Sequence, residues 1–569
     1  MSNCIPLALA PDMIILNGKI ITVDDAFSFA EALAVKDGKI IAVGTTAEIE
    51  TYKSAKTKVV DLKGNTLMPG LNDSHMHLTW EVLSNPPYKI DLRYPKVKSI
   101  ADIREKVKEA VALAQPGEWI NGDGWSKGYL TEIIADPLNR KMNIRDFDDI
   151  TPDNPLYLME ITYHNIVVNS RALELAGITK DTPDPEGGII HRDADGNPTG
   201  LLIENARLLV ERVKKQFTPA EMARALWDNV HTLTNSGVTS VTTAAEGVDE
   251  MRAYCAVALE GKFPLRINCA LQFCEKGGLG GEYEDYYEAM KYVGETTGFG
   301  NEWLKIGGVK IFADGSPEYF TSWNYNPYPD GTYGSLVFKG KDDAERVANL
   351  RKIVRLCHGL RYQIAAHTTG DRCIHETVKA FAEVMEADPW DARHYIIHGD
   401  WIVPEAQEMM AKYKMGYSPQ ASMKAMNCDD ITRIFGEERS GDQWPMKELW
   451  DKGIVVANGS DTPCAPPDWR NSMAASILRE GTMSGKCSGP HQCLNIEEAI
   501  RAYTINPAWL EHAEHVKGSI EPGKLADFCI LGKDITAIDP HEISTTPVLM
   551  TIVGGRVVYT DGTLDVAEI

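Results

Sequence analysis

The chain has 569 residues, 43% of them apolar and 24% charged, with a formal net charge of −23. Its length exceeds one ordinary domain, and its balance is that of a soluble globular protein of two or three domains. The acidic excess argues against nucleic acid as a partner, because phosphate binding needs a basic surface.

The opening segment, MSNCIPLALAPD, has no positive stretch ahead of a very short apolar run, so it does not read as a signal peptide. No run of about 18 apolar residues is present to span a bilayer, so no membrane partner is expected. The 11 scattered cysteines include no C-x-x-C pair, which points to reduced thiols and a cytoplasmic location. Cys373 and Cys464 read as small packed side chains.

Residues 1–66 carry Ile/Val-rich runs broken by Asn-Gly or Asp-Gly, a hairpin signal. Residues 515–569 repeat that style, so the two ends are expected to build one small β-sandwich. Between them lie eight short strand candidates: 66–77, 237–245, 265–273, 303–316, 362–371, 394–401, 415–422 and 454–463. Helical patterns separate several of them, and alternating βα units imply a parallel sheet. The predicted fold class is therefore α/β, a (β/α)8 TIM-type barrel. About 150 residues divide the first candidate from the second, too many for a βα connection. The reading is barrel strand one at 67–81, an inserted subdomain at 82–205, and the rest of the barrel at 206–514.

In such a barrel the working residues sit at the C-terminal ends of the strands. His75 and His77 stand two apart in LMPGLNDSHMHL, which on a strand puts both imidazoles on one side. Strand alternation in VKIFADGS places Lys310, Phe312 and Asp314 together. QIAAHTTGD supplies His367, HYIIHGD supplies His398, and VVANGSDTP supplies Asp461. Each has an ordinary reading alone: a polar strand end, a solvated lysine, a turn or helix cap at Asp461. Their convergence on one mouth points instead to a divalent metal, since imidazole and carboxylate suit zinc. A buried Lys310 beside cations would expose its neutral amine, which can add carbon dioxide to give a metal-bridging carbamate. The alternative is a lysine that stays an amine and pairs with Asp314 or a substrate carboxylate.

These pieces resemble the amidohydrolase superfamily, in its amidohydrolase family 3 branch. GLNDSHMHL, GDGW, VNSRALELAGI, GGIIHRDADGNPTG, VKIFADGS, HTTGDRCI, IIHGDWIVP, GSDTP, YTINPAW and GSIEPGKLADF carry the likeness over nearly the whole length. The resemblance implies a barrel with a terminal β-sandwich. It also implies that His75, His77, Lys310, His367, His398 and Asp461 occupy the metal-ligand positions, with one or two ions. The sequence departs from the family pattern in the two threonines after His367, in His398-Gly399-Asp400, and in SDTPCAPPDW with Cys464 and Trp469.

The expected function is metal-dependent hydrolysis of an amide-type C–N bond in a small molecule: N-acyl, N-formyl or cyclic amide. Asp461 would serve as general base and then acid, and His398 would steady the oxyanion. Deamination, or ester or lactone hydrolysis, is the alternative on the same site; a silent oligomeric scaffold is a further one. The insert is expected to form a wall and lid with Trp125, Tyr163 and His164 as substrate contacts, of which the resemblance places His164 near the cleft. Asp314 and Arg372 are further candidates, and a homo-oligomer is expected. Asn495 with Glu498 reads as a capping box.

Overall fold

The computed structural model describes residues 10–136, 140–185, 188–273 and 281–567. The opening segment discussed above lies largely outside them.

Seven parallel strands form the central sheet in sequence order: β1 (Leu71–Met76), β2 (Val238–Glu246), β3 (Arg266–Leu271), β4 (Leu304–Phe312), β5 (Ile364–Thr368), β6 (Tyr395–His398) and β7 (Gly416–Ser418). Helices cover the outside. Helix Asp371–Ala387 leaves the end of β5 and buries Ile374, Val378, Phe381 and Met385, the one-sided stripe that a 3.6-residue period produces. The helix that begins at Ile496 carries the expected box. Asn495 Oδ1 accepts from Glu498 N at 2.9 Å, and Asn495 N donates to Glu498 Oε2 at 2.9 Å.

The eighth strand expected at 454–463 is instead irregular chain with one bridge, Tyr417 to Val456. Backbone bonds still close the ring. Tyr417 N donates to Val455 O at 3.0 Å, Ser74 N to Asn458 O at 3.3 Å, and Asp461 N to His75 O at 2.8 Å. Close approach explains the irregularity: a Cβ on Gly459 would lie 2.7 Å from His75 N. Two residues later Asp461 takes a left-handed φ of 57°, a conformation that costs a non-glycine residue energy and recurs at functional sites.

Both termini contribute to two further sheets. One orders Val566–Ala567, Lys58–Asp61, Met13–Leu16, Ala32–Lys36 and Lys39–Gly44; the other Arg556–Thr560, Val548–Val553, Phe528–Leu531, Thr66–Pro69, Lys19–Ile21 and Phe29–Ala30. Ile15, Leu33, Val60, Leu67, Phe528, Ile530 and Ile552 fill the space between them. This pairing corrects the start of the first barrel strand. Leu67–Pro69 pairs antiparallel with Phe528–Ile530 in the terminal sandwich, and the barrel begins only at Leu71, where the chain turns at Gly70.

Between β1 and β2 stands a six-stranded sheet ordered Gly188–Arg192, Pro198–Glu204, Asn165–Val168, Leu156–Glu160, Ile120–Trp125 and Ile90–Asp91. Strand alternation sorts its side chains onto two covered faces. Leu158 and Val167 pack with Leu92, Ile103 and Val107, whereas Tyr157, Met159, Ile166 and Val168 pack with Leu173 and Leu202. Among the described residues, no helix is long and apolar enough to cross a membrane.

Candidate active site

The strand ends bring His75, His77, Lys310, His398 and Asp461 to one point, with His367 beside it. Asp461 Oδ1 lies 3.1 Å from His75 Nε2 and 3.3 Å from His77 Nε2. Lys310 Nζ is 3.3 Å from His75 Nε2. The His398 ring is centred 5.8 Å from that of His75 and 4.4 Å from that of His367. The ligating atoms of His75, His398 and Asp461 all fall within 4.8 Å of one another.

Burial sets the charge states. It drives the His75 and His367 imidazoles well below their ordinary value, helped at His75 by Lys310 and at His367 by His398. It lowers His398 to about 4 and Lys310 to about 7, against the pull of Asp461. At Asp461 burial works the other way, but the charge and hydrogen bond of His75, with His77 and His398, hold the carboxyl well below the usual range. Burial thus disfavours charge on His75, His367, His398 and Lys310, whereas Asp461 is held as a carboxylate.

Neighbouring groups fix which nitrogen faces inward. His77 Nδ1 donates to Ala244 O at 2.9 Å, a pure acceptor, which leaves Nε2 facing Asp461 Oδ1. His367 Nε2 donates to Gly315 O at 3.0 Å, which frees its Nδ1. Asp73 Oδ1 accepts from His75 N at 3.1 Å and Ser460 N at 3.0 Å, stapling β1 to the Asp461 segment. Glu81 Oε2 takes Thr462 Oγ1 at 2.7 Å and Arg93 at 2.9 Å, clamping the residue after Asp461. The donor set thus fits a divalent metal with N/O preference, and its outer partners orient the ligands as such sites require.

The cluster opens into a cavity of about 850 Å³. His77, Lys310, Phe312, His367, His398 and Asp461 line its inner end, and the insert and β2 supply outer walls. His164 lines it and gives Nδ1 to Glu204 Oε2 at 2.7 Å; burial opposes protonation of this ring, but Glu204 raises it. Tyr163 also lines it, donating to Asp123 Oδ2 at 2.8 Å. Cys464 lies on the wall with its thiol pushed well up by burial.

Three expected substrate contacts lie elsewhere. Trp125 points into the core of the insert and donates Nε1 to Leu158 O at 3.0 Å, because a register shift between Asp123 and Trp125 breaks the strand alternation and turns the ring to the face of Ile120. Asp314 lies past the end of β4, so the alternation that grouped it with Lys310 stops at Phe312. Its carboxylate accepts from Trp323 N, Thr369 N and Gly370 N at 2.9–3.0 Å and staples two loops together. Burial nonetheless raises it to about 6. Arg372 lies over the Trp323 ring at 4.0 Å and pairs with Asp343 at 3.3 Å.

The sequence reading missed Trp80 and Glu318 and had Asp400 only as a departure from the family pattern; all three lie on the cavity wall. Trp80 stacks on His77 at 4.3 Å and on Tyr163 at 5.0 Å. Its signal was present in HMHLTW: a helix starting at Leu78 returns its third residue over His77. Burial drives the Asp400 carboxyl well above the carboxylate range.

Residues 58–559 match the amidohydrolase family. The chain belongs to that family. This amidohydrolase is 29% identical to the protein LONG AFTER FAR-RED 3 of Arabidopsis thaliana, covering 97% of this chain and 92% of that one. It is 27% identical to the N-substituted formamide deformylase of Arthrobacter pascens, covering 96% and 98%. In structure it is similar to an uncharacterized metal-dependent hydrolase from Pyrococcus horikoshii, with a TM-score of 0.71, 24% identity and coverage of 93% and 99%.

Proposed function

We propose that this amidohydrolase cleaves the amide-type C–N bond of a small N-acyl or N-formyl compound, with zinc or another divalent ion held by His75, His77, Lys310, His367, His398 and Asp461. The observation that carries the reading is the convergence of ligating atoms of His75, His398 and Asp461 within 4.8 Å of one another in a buried site. The similarity to an N-substituted formamide deformylase supports the bond type. A bound divalent ion supplies acidified water near neutral pH and polarises the scissile carbonyl.

The protein side of the chemistry falls to three residues. Asp461, a carboxylate at the cavity end, takes the proton of the attacking water at Oδ1 and delivers it to the departing nitrogen. His398, neutral and cavity-facing, offers a donor to the oxygen on which charge develops. Lys310, with a pKa of about 7, has neutral amine available to add carbon dioxide; the new N–C bond releases one proton and leaves a carbamate as a further anionic donor.

The test is to reload the purified protein with zinc and present N-formyl, N-acyl, cyclic amide and ester compounds. Release of free amine with formate or another acid is the expected outcome. Ammonia from a ring amine, or turnover of esters alone, would overturn the amide reading.

A further inference from the structure

Resting on the metal reading above, we infer that a bulge in β2 is a positioning device for the metal site: Thr243, Glu246 and Tyr254 hold the segment His77–Leu78–Thr79 and so aim the His77 imidazole.

His77 stands where β1 gives way to the helix Leu78–Leu83, and no side chain caps that helix. Strand β2 supplies none of the six candidate ligands, yet it grips this junction at three successive residues. His77 Nδ1 donates to Ala244 O at 2.9 Å. Leu78 N donates to Thr243 Oγ1 at 3.0 Å. The Thr79 hydroxyl lies 2.5 Å from that of Tyr254, on the helix Val248–Leu259 that follows β2.

The bulge makes the grip possible. Residues three apart on an unbroken strand face opposite sides. In β2 the register slips between Ala244 and Glu246, and Ala245 takes a left-handed φ of 63°. The extra residue brings Glu246 round to the side of Thr243. Glu246 Oε1 then accepts from Thr243 Oγ1 and, at 3.0 Å, from the Tyr254 hydroxyl. A hydroxyl has one proton, and both of these give it to Glu246. The Thr243 oxygen is thereby left to accept from Leu78 N, and the Tyr254 oxygen to accept from Thr79 Oγ1. Glu246 Oε1 sets the direction of every bond in the chain.

Thr79, Thr243, Glu246 and Tyr254 are all buried, so each bond is made within the protein and a lost partner is costly. A left-handed alanine also costs conformational energy, and such strain recurs at functional sites. Here the strained residue directly follows the carbonyl that receives His77 Nδ1. Outer partners that fix a ligand imidazole commonly govern metal affinity by ten- to a hundredfold.

The experiment strips full-length protein with a chelator and titrates it with zinc against a zinc-binding dye. Cobalt-loaded samples give a visible absorption spectrum that reports ligand geometry. Zinc affinity is expected to fall about tenfold or more in T243V, Y254F and E246A, with shifted cobalt bands. E246Q keeps an Oε1 acceptor and is expected to stay near wild type; affinity no better than that of E246A would overturn the role given to Oε1. Melting of the metal-free proteins separates positioning from packing, and any one of the three weakened variants that melts cooperatively suffices. Lower metal-free stability with zinc affinity and cobalt spectrum equal to wild type would overturn the inference alone. Failure of the wild-type protein to bind zinc or cobalt would overturn the metal reading and this inference with it.

Discussion

His77 Nε2 faces Asp461 Oδ1 across 3.3 Å, and Ala244 O holds the proton of that imidazole on its opposite nitrogen. The imidazole and the carboxylate thus face each other inside a buried site. The fold spends left-handed backbone at Asp461 and His398 to hold this arrangement, with φ of 57° and 65°.

Asp461→Asn removes the carboxylate but keeps its shape. The protein is expected to fold and to retain most of its metal, with kcat falling by about 10²–10⁴-fold, the range for loss of a general base. Steady-state kinetics beside elemental analysis checks this, and near-normal kcat would exclude the assigned role.

Trp80 lies between His77 and Tyr163, and each stack is worth about 0.5–1.5 kcal/mol beyond area burial. Trp80→Ala is expected to lower kcat/KM roughly ten- to hundredfold, while Trp80→Phe keeps most of it. Equal kcat/KM in wild type and Trp80→Ala would show that the ring does not shape the site.

The His164–Glu204 pair carries a pH signature. His164 is raised above 6.5, so its stabilising contribution is full below that value and fades as pH rises through the folded pKa. Glu204 is lowered below 4.5, so its contribution is present above 4.5 and lost as pH falls. The drop in melting temperature caused by Glu204→Gln is therefore expected to be largest between these values, near pH 5–6, and to shrink towards pH 9. A drop independent of pH would contradict the ion pair.

Arg266 on β3 ties the barrel to the terminal sandwich, reaching Asp527 at 2.7 and 2.9 Å with both groups buried. Arg266→Ala strands Asp527 and is expected to cost about 3–5 kcal/mol. Calorimetric unfolding with no loss of stability would refute the contact's importance.

The residues gathered at the cavity end were legible in the sequence because strand-end histidines and the GSDTP aspartate are local signals in a repeating architecture. What escaped depended on where strands stop. Alternation carried Asp314 into the cup only because β4 was read four residues too long, and GDGW offered Trp125 without saying which face of Ile120–Trp125 meets the cavity. Asp400 was noticed as a departure from the family pattern, but its hydrogen bond from Gln443 Nε2 joins residues more than forty apart in sequence. The start of β1 was misplaced because Leu67–Pro69 runs into the next strand with only Gly70 between them, and only its partner, Phe528–Leu531, assigns it to the sandwich.

The most direct test is the metal itself. Elemental analysis of the purified protein should find zinc or another divalent ion bound in stoichiometric amount; exhaustive chelation should abolish amide hydrolysis, and restoring the ion should return it. A metal-free protein that hydrolyses its best amide substrate as fast as before chelation would contradict the account.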